Sequence, residues 1–94
     1  MIKFVVKAKV FRWPSGNWHF AYVDKVNSNK IKKSKGKRVG FGFVPVRCTL
    51  GKSEWQTTFF PTKEGPYMIS INKKVREREG VYDGDLVSVK CELI

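Results

Sequence analysis

The segment from Tyr67 to Leu93, YMISINKKVREREGVYDGDLVSVKCEL, contains the strongest structural signals in the chain. Met68 to Ile71 is short, apolar and β-branched at two positions, which predicts a strand. The side chain of Asn72 can accept hydrogen bonds from the first amides of a following helix, and Gly80 can end that helix in the left-handed conformation. Asp83-Gly84 predicts a tight turn before a final, mostly alternating strand. We therefore expect strand, short helix, turn and strand.

Nine positions of this segment fit one known pattern: Ile71, Lys73, Val75, Arg76, Gly80, Val81, Gly84, Asp85 and Val87. They resemble the AbrB/MazE-like barrels, whose pattern is commonly Ile-Pro-Lys-x-Val-Arg-x-x-Leu-Gly-Ile-x-x-Gly-Asp-x-Val. Asn72 stands in place of the proline, and both residue types begin helices. Glu79 stands in place of the leucine, so the short helix cannot bury the same face.

Motifs along the whole chain carry a second resemblance. They are Phe11-x-Trp13, Trp18-His-Phe20, Gly40-Phe-Gly-Phe-Val-Pro-Val46, Trp55-x-Thr57, Phe59-Phe-Pro61 and Val75-Arg76…Gly84-Asp85. In this order they look like the bacterial domain-of-unknown-function family nineteen-oh-five, which is also found fused in YdeI/OmpD-associated proteins. The resemblance implies a double-split β-barrel, and it brings no established activity or binding residues.

Alternating polar and apolar residues predict four strands before the C-terminal segment. They cover residues 2–11, 18–23, 40–50 and 55–60, with turn residues between them. Strands spaced this closely favour a closed barrel over an open sheet. The predicted core contains Phe4, Val6, Val10, Phe20, Val46, Leu50, Val75, Val81, Val87 and Val89.

A first short helix is predicted after the second strand. Asp24 can begin it, Val26 and Ile31 would face inward, and it would end before Gly36. The predicted fold class is all-β, a small β-barrel with one or two short helices, and the resemblances imply that it is a double-split, AbrB-like barrel. The 94 residues predict one domain over residues 1–94, with one modest core.

The chain has no signals for export or membrane insertion. No apolar run approaches the roughly 20 residues of a membrane span, and the first residues lack a signal-peptide core. Cys48 and Cys91 lie among apolar residues in predicted strands. We expect two buried free thiols and a cytoplasmic protein.

Residues that carry enzyme chemistry are nearly absent. His19 is the only histidine and the two cysteines lack a CxxC spacing, so the sequence predicts no zinc site. Gly40-Phe-Gly42 lacks both the third glycine and the following helix of a dinucleotide site. Asp83 and Asp85 flank a turn glycine, and turn chemistry explains them better than acid–base catalysis. We expect no catalytic residues, no cofactor and no metal.

The charge is unevenly distributed. Residues 1–53 contain 13 lysines and arginines and one acidic residue, whereas residues 54–94 contain six basic and seven acidic residues. A basic face of this kind attracts phosphates, because each neutralised phosphate releases condensed counterions. A solvated lysine-rich loop with no ligand is the alternative explanation, and both stay open from the sequence.

The favoured function is therefore a binding module for a polyanion, with nucleic acid as the first choice. Exposed aromatic residues could stack bases beside the cations, and Trp13, which precedes a turn, is the best candidate. Two lysines at the start of the second helix could add an anion seat. The candidate residues are Arg12, Trp13, Lys30, Lys32, Lys33, Lys35, Lys37, Arg38, Lys73 and Lys74.

The alternative function is a small-molecule-binding barrel whose aromatic-lined pocket is formed by Trp18, Arg47 and Trp55. Small barrels are usually filled by their own side chains, so this alternative requires a cavity. We expect a monomer that closes its own barrel, with a homodimer as the rival, and no membrane partner.

Overall fold

The computed structural model describes residues 2–34 and 42–94. Its elements in chain order are β1 (Lys3–Arg12), β2 (His19–Tyr22), α1 (Lys25–Lys33), β3 (Val44–Leu50), β4 (Ser53–Pro61), β5 (Tyr67–Ser70), α2 (Lys73–Glu79) and β6 (Leu86–Leu93). The strands pair in the order β1-β2-β5-β4-β3-β6 and close into one barrel. All pairs are antiparallel. The prediction of an all-β barrel with two short helices, closed by a single chain, is confirmed.

The strand register explains which side chains fill the barrel. Val10 pairs with Ala21, Ala21 with Ile69, Ile69 with Phe59 and Phe59 with Val44. These five side chains are at most 1% exposed and form one layer of the interior. Because side chains alternate across a strand, the next residue on each strand faces outward. The predicted alternation of β1 is thus confirmed.

The predicted core is largely correct. Leu50 and Val87 are only partly buried and pack against the edge of the core. The buried members are Phe4, Val6, Val10, Val46, Val75, Val81 and Val89. Phe20 is also buried, but it belongs to the outer surface, because its neighbour Ala21 occupies the inner face of β2. Its predicted burial is therefore confirmed, but it packs outside the main core cluster.

Helix α1 fills a gap in the barrel wall. Strand β2 pairs with only the last three residues of β1, so the first half of β1 has no strand on that side. The Asn27 side chain donates to the Val5 carbonyl at 2.9 Å, and the Ser28 hydroxyl accepts from the Tyr67 amide at 3.1 Å. Asp24 begins the helix as predicted, by accepting from the Asn27 amide.

The inward face of α1 differs from the prediction in part. Ile31 is fully buried as expected, but Val26 is 65% exposed. Asn27 and Ser28 are buried in its place. They face inward because they satisfy backbone groups of the neighbouring strands, which a valine cannot do.

Helix α2 covers another part of the barrel and confirms the predicted caps. The Asn72 side chain accepts from the Val75 amide at 2.9 Å, and Gly80 ends the helix with a φ of 65°. Val75 is the buried residue of this helix. Glu79 is partly buried: its carboxylate accepts from the Ser53 hydroxyl at 2.6 Å and so ties α2 to the β3–β4 turn.

The first and last strands are neighbours in the barrel. Lys3 pairs with Glu92, and the Leu93 amide donates to the Ile2 carbonyl at 3.0 Å. Across β3 and β6, Cys48 and Cys91 lie opposite each other as buried free thiols, which confirms that prediction. Over residues 2–34 and 42–94, neither helix is long and apolar enough to cross a membrane.

Candidate nucleic-acid interface

A basic surface covers the outside of β1 and the neighbouring α1. The outward positions of β1 include Lys7 and Lys9, and the bond between Asn27 and Val5 places α1 beside this strand. The lysines of α1 all lie away from its buried face. The basic surface is defined here by its exposed lysines: Lys7, Lys9, Lys25, Lys30, Lys32 and Lys33.

The predicted lysine-rich loop is in part a helix. Lys30, Lys32 and Lys33 form the last turn of α1, which contains no acidic residue. Lysines at this end also stabilise the helix through its dipole, so they have a structural role as well. The predicted site residues Lys35, Lys37 and Arg38 lie outside the described residues.

An aromatic face continues the outer surface of β1 beyond the lysines. Phe11 stacks on Tyr22 with ring centroids 4.9 Å apart, and it pairs with Phe20 across the strands. The Phe20 ring in turn contacts the rings of Trp13, Trp18 and Phe60. We call this set the aromatic face: Phe11, Trp13, Trp18, Phe20, Tyr22, Phe43 and Phe60.

An apolar groove of about 510 Å³ lies in the aromatic face. Trp13 and Phe20 meet edge to face at 5.7 Å, and Phe43 and Phe60 meet in the same way at 5.1 Å. Trp18 stacks nearly parallel to Phe20 at 6.1 Å and stays 64% exposed. Large exposed aromatic side chains of this kind are typical of binding surfaces.

Sequence reasoning found only part of this groove. Trp13 was predicted as an exposed ring, and it is 41% exposed. Phe43 and Phe60 were missed. They are neighbours across the β3–β4 hairpin, but only the pairing of β2 with β5 and of β5 with β4 brings them beside Phe20.

Arg12 is the last residue of β1. Its side chain is exposed, and its backbone amide donates to the Asp83 carboxylate at 3.0 Å. Arg12 lines neither the apolar groove nor another pocket described here.

A polar cleft of about 470 Å³ lies on the other side of Trp18. It is lined by the β1–β2 turn, by His19 and by the start of α2, including Lys73 and Arg76. The Arg76 guanidinium donates through Nη1 to the Ile71 carbonyl at 2.6 Å, which fixes its position. Trp18 therefore separates an apolar groove from a cationic cleft.

The two lysines predicted as an anion seat are placed differently. Lys73 lines the cleft and makes an exposed ion pair with Glu77 at 3.8 Å. Lys74 is exposed and does not line the cleft. The Val75 amide is already bonded to Asn72. The cations, rather than free helix amides, supply the positive charge here.

The pocket predicted for the small-molecule alternative does not form as one pocket. Trp18 lines the groove and the cleft, whereas Arg47 faces outward on β3 and approaches Glu54 at 3.9 Å. Trp55 packs against the core and donates to the Ser70 carbonyl at 3.4 Å. Within the described residues these three side chains lie in separate places.

Chemically reactive groups are sparse in the part of the chain that the structure describes. No cluster of three histidine, cysteine or acidic residues that could hold a metal occurs there. His19 Nδ1 lies 2.9 Å from the Asn17 carbonyl, so the ring donates within the β1–β2 turn. The hydrogen bond with Cys91 and burial raise the pKa of the Cys48 thiol far above its usual range. A thiol held in this protonated form is a poor nucleophile.

Comparison with known families agrees with the motifs along the chain. Residues 7–91 match the family described as Domain of unknown function (DUF1905). The chain belongs to this family. No curated protein matches the chain. This DUF1905 domain is thus a six-stranded barrel whose outer surface carries a basic surface, an aromatic groove and a cationic cleft.

Proposed function

We propose that this DUF1905 domain is a non-enzymatic module that binds nucleic acid through its basic surface. The observation that carries the proposal is the outer side of β1, where Lys7 and Lys9 are followed by Phe11 and the aromatic face. Cations and exposed rings on one continuous surface suit a ligand that alternates phosphates with bases.

Charge supports the same function. The formal net charge is +11, and α1 adds four lysines without one carboxylate. Lysine side chains place charge without a fixed hydrogen-bonding fork, so affinity should come from phosphates with little sequence discrimination. The domain would act as a monomer, because one chain closes the barrel. We also propose that the barrel is of the double-split kind found in AbrB/MazE-like proteins, because nine positions between Ile71 and Val87 fit their pattern.

Fluorescence anisotropy with labelled oligonucleotides over a salt series tests the proposal. If about four phosphates are engaged, log K should fall against log salt with a slope of about −3.6 for duplex DNA and about −2.8 for single strands. The double variant Lys30→Gln/Lys33→Gln should make the duplex slope about 1.8 shallower. Thermal stability should change little, because exposed charges contribute little to folding.

The matched control is Lys52→Gln/Arg78→Gln, which removes the same charge from two exposed side chains. Lys52 lies in the β3–β4 turn and Arg78 on α2, which Glu79 ties to the start of β4, and β4 lies opposite β1 in the closed strand order. This control should leave the slope within about 0.5 of the wild type, because it removes no phosphate contact. Absence of binding at low salt, or equal losses in both double variants, would refute the proposal.

A further inference from the structure

We infer that Trp18 and the two grooves it separates bind an unpaired nucleotide of a single strand. The base lies against the aromatic groove and the adjoining phosphate lies in the cationic cleft. This inference rests on the proposed nucleic-acid function and deepens it, since it names the form of the ligand and a second site. The basic surface alone attracts any polyanion, whereas this site selects unpaired bases.

The aromatic groove has the properties of a base-stacking site. Trp18 is the most exposed of its rings, and Phe20 supports it from behind in a nearly parallel stack with an interplanar angle of 9°. Phe20 is itself held by edge contacts to Trp13 and Phe60. The exposed indole is therefore positioned by packed rings, so that little conformational freedom is lost when a base stacks on it.

The cationic cleft supplies the complementary charge. Arg76 is anchored by its bond to the Ile71 carbonyl, and Lys73 lies one helical turn before it on α2. No acidic residue lines this cleft or the apolar groove. Guanidinium and ammonium groups next to an aromatic ring match a nucleotide, which joins an apolar base to an anionic phosphate.

The arrangement favours a single strand over a duplex. Bases in a duplex are stacked on each other, so their faces cannot reach Trp18, whereas an unpaired strand can splay a base onto an aromatic side chain. Duplex DNA can still contact the lysines of the basic surface through its phosphates. Binding of a single strand should therefore depend on Trp18 more strongly than binding of a duplex.

The test compares a short oligothymidylate, an abasic deoxyribose-phosphate strand of the same length and a duplex. Trp18→Ala should weaken binding of the oligothymidylate by about 5- to 150-fold, the range for loss of one base stack. Binding of the abasic strand and of the duplex should change by less than about twofold, because neither presents an unpaired base. Trp18→Phe should retain most of the affinity, since it keeps an aromatic face.

Two neighbouring lysines provide a matched control for the phosphate contact. Lys73→Gln should weaken the oligothymidylate and the abasic strand about equally, by about 2- to 5-fold at low salt. Lys74→Gln removes the same charge one residue later and should have a smaller effect, because Lys74 does not line the cleft. A matched aromatic control is Tyr82→Ala, whose ring is 72% exposed and lines neither groove.

The outcomes separate this inference from the proposed function. Equal affinity for the oligothymidylate and the abasic strand, or a Trp18→Ala variant that binds like the wild type, overturns the inference and leaves phosphate binding intact. Equal losses for duplex and single strand in Trp18→Ala also overturn it. If no oligonucleotide binds at low salt, both proposals fail. An apolar dye that binds the groove without competition from the oligothymidylate would make the groove a small-molecule site and contradict the inference.

Discussion

At the scale of single residues, the Cys48–Cys91 pair shows how burial controls a reactive group. The two thiols lie opposite each other on β3 and β6, and both are at most 2% exposed. Their hydrogen bond and the loss of water raise the pKa of Cys48. The folded protein therefore keeps this thiol protonated at pH values where the unfolded chain ionises it.

Stability should consequently fall at alkaline pH. Because the folded pKa is raised, the contribution of Cys48 is fully present below the unfolded pKa of about 8.5 and is lost as pH rises above it. The free energy of unfolding of the wild type, relative to Cys48→Ala, should fall by about 1.4 kcal/mol between about pH 7.5 and about pH 9.5. Urea unfolding in a thiol-free reductant measures this difference, and parallel curves for the two proteins would contradict it.

The environment of the Glu79 side chain differs from what the sequence pattern suggests. Where the AbrB-like pattern has a leucine, a glutamate suggests a solvated helix face. The structure instead places the carboxylate against the β3–β4 turn, where Gly51 leaves room for it and Ser53 donates to it. The polar side chain thus holds α2 by a hydrogen bond to a buried hydroxyl. No local property of residues 73–79 reveals this partner.

At the scale of elements, this contact joins α2 to the β3–β4 turn, and it predicts a coupling between two positions. Gly51 has a φ of 59°, and a Cβ there would overlap the Glu79 carboxylate. Gly51→Ala should cost about 2 kcal/mol: about 1 for the left-handed backbone and about 1 for the displaced hydrogen bond. Gly80→Ala, with a similar φ and open space around it, should cost only about 1 kcal/mol.

A double-mutant cycle with Glu79→Ala measures the coupling. Once the carboxylate is removed, Gly51→Ala should cost about 1 kcal/mol less, because only the backbone strain is left. Gly80→Ala should cost the same in both backgrounds, which makes it the matched control. A Gly51→Ala cost that does not depend on residue 79 would show that the contact is not formed.

The two helices differ in how well the sequence predicts them. Helix α2 is flanked by a strong N-cap and a strong C-cap, and its position was predicted closely. The start of α1 was also predicted, but its inward face was not, because Asn27 and Ser28 are buried for their hydrogen bonds. Hydrophobic periodicity cannot identify an inward face that is polar.

At the scale of the whole molecule, alternation and turn residues were sufficient to predict a closed barrel and most of its core. The binding surface was predicted less well. Charge located Lys30, Lys32 and Lys33 of α1, since charge is visible in the sequence. The site prediction did not include Lys7 and Lys9 of β1 or Lys25 of α1, because the strand pairing and the packing of α1 bring them to the same surface. The aromatic groove depends on strand order: β1, β2, β5 and β4 are neighbours in the barrel but not all in the chain. No pattern within one segment contains that information.

The pairing of β1 with β6 also has a consequence for chain connectivity. Because the Leu93 amide bonds to the Ile2 carbonyl, Ile2 and Leu93 lie within the reach of a short peptide. We therefore expect the barrel to fold when these ends are joined and the chain is opened in a different loop. A circular permutant with the ends joined by about four glycine and serine residues, opened between the exposed Lys63 and Glu64, should unfold cooperatively within about 2 kcal/mol of the parent. A permutant opened between Val89 and Lys90, inside the strand that closes the barrel, should fail to fold; equal stability of the two would mean that β6 is dispensable for closure.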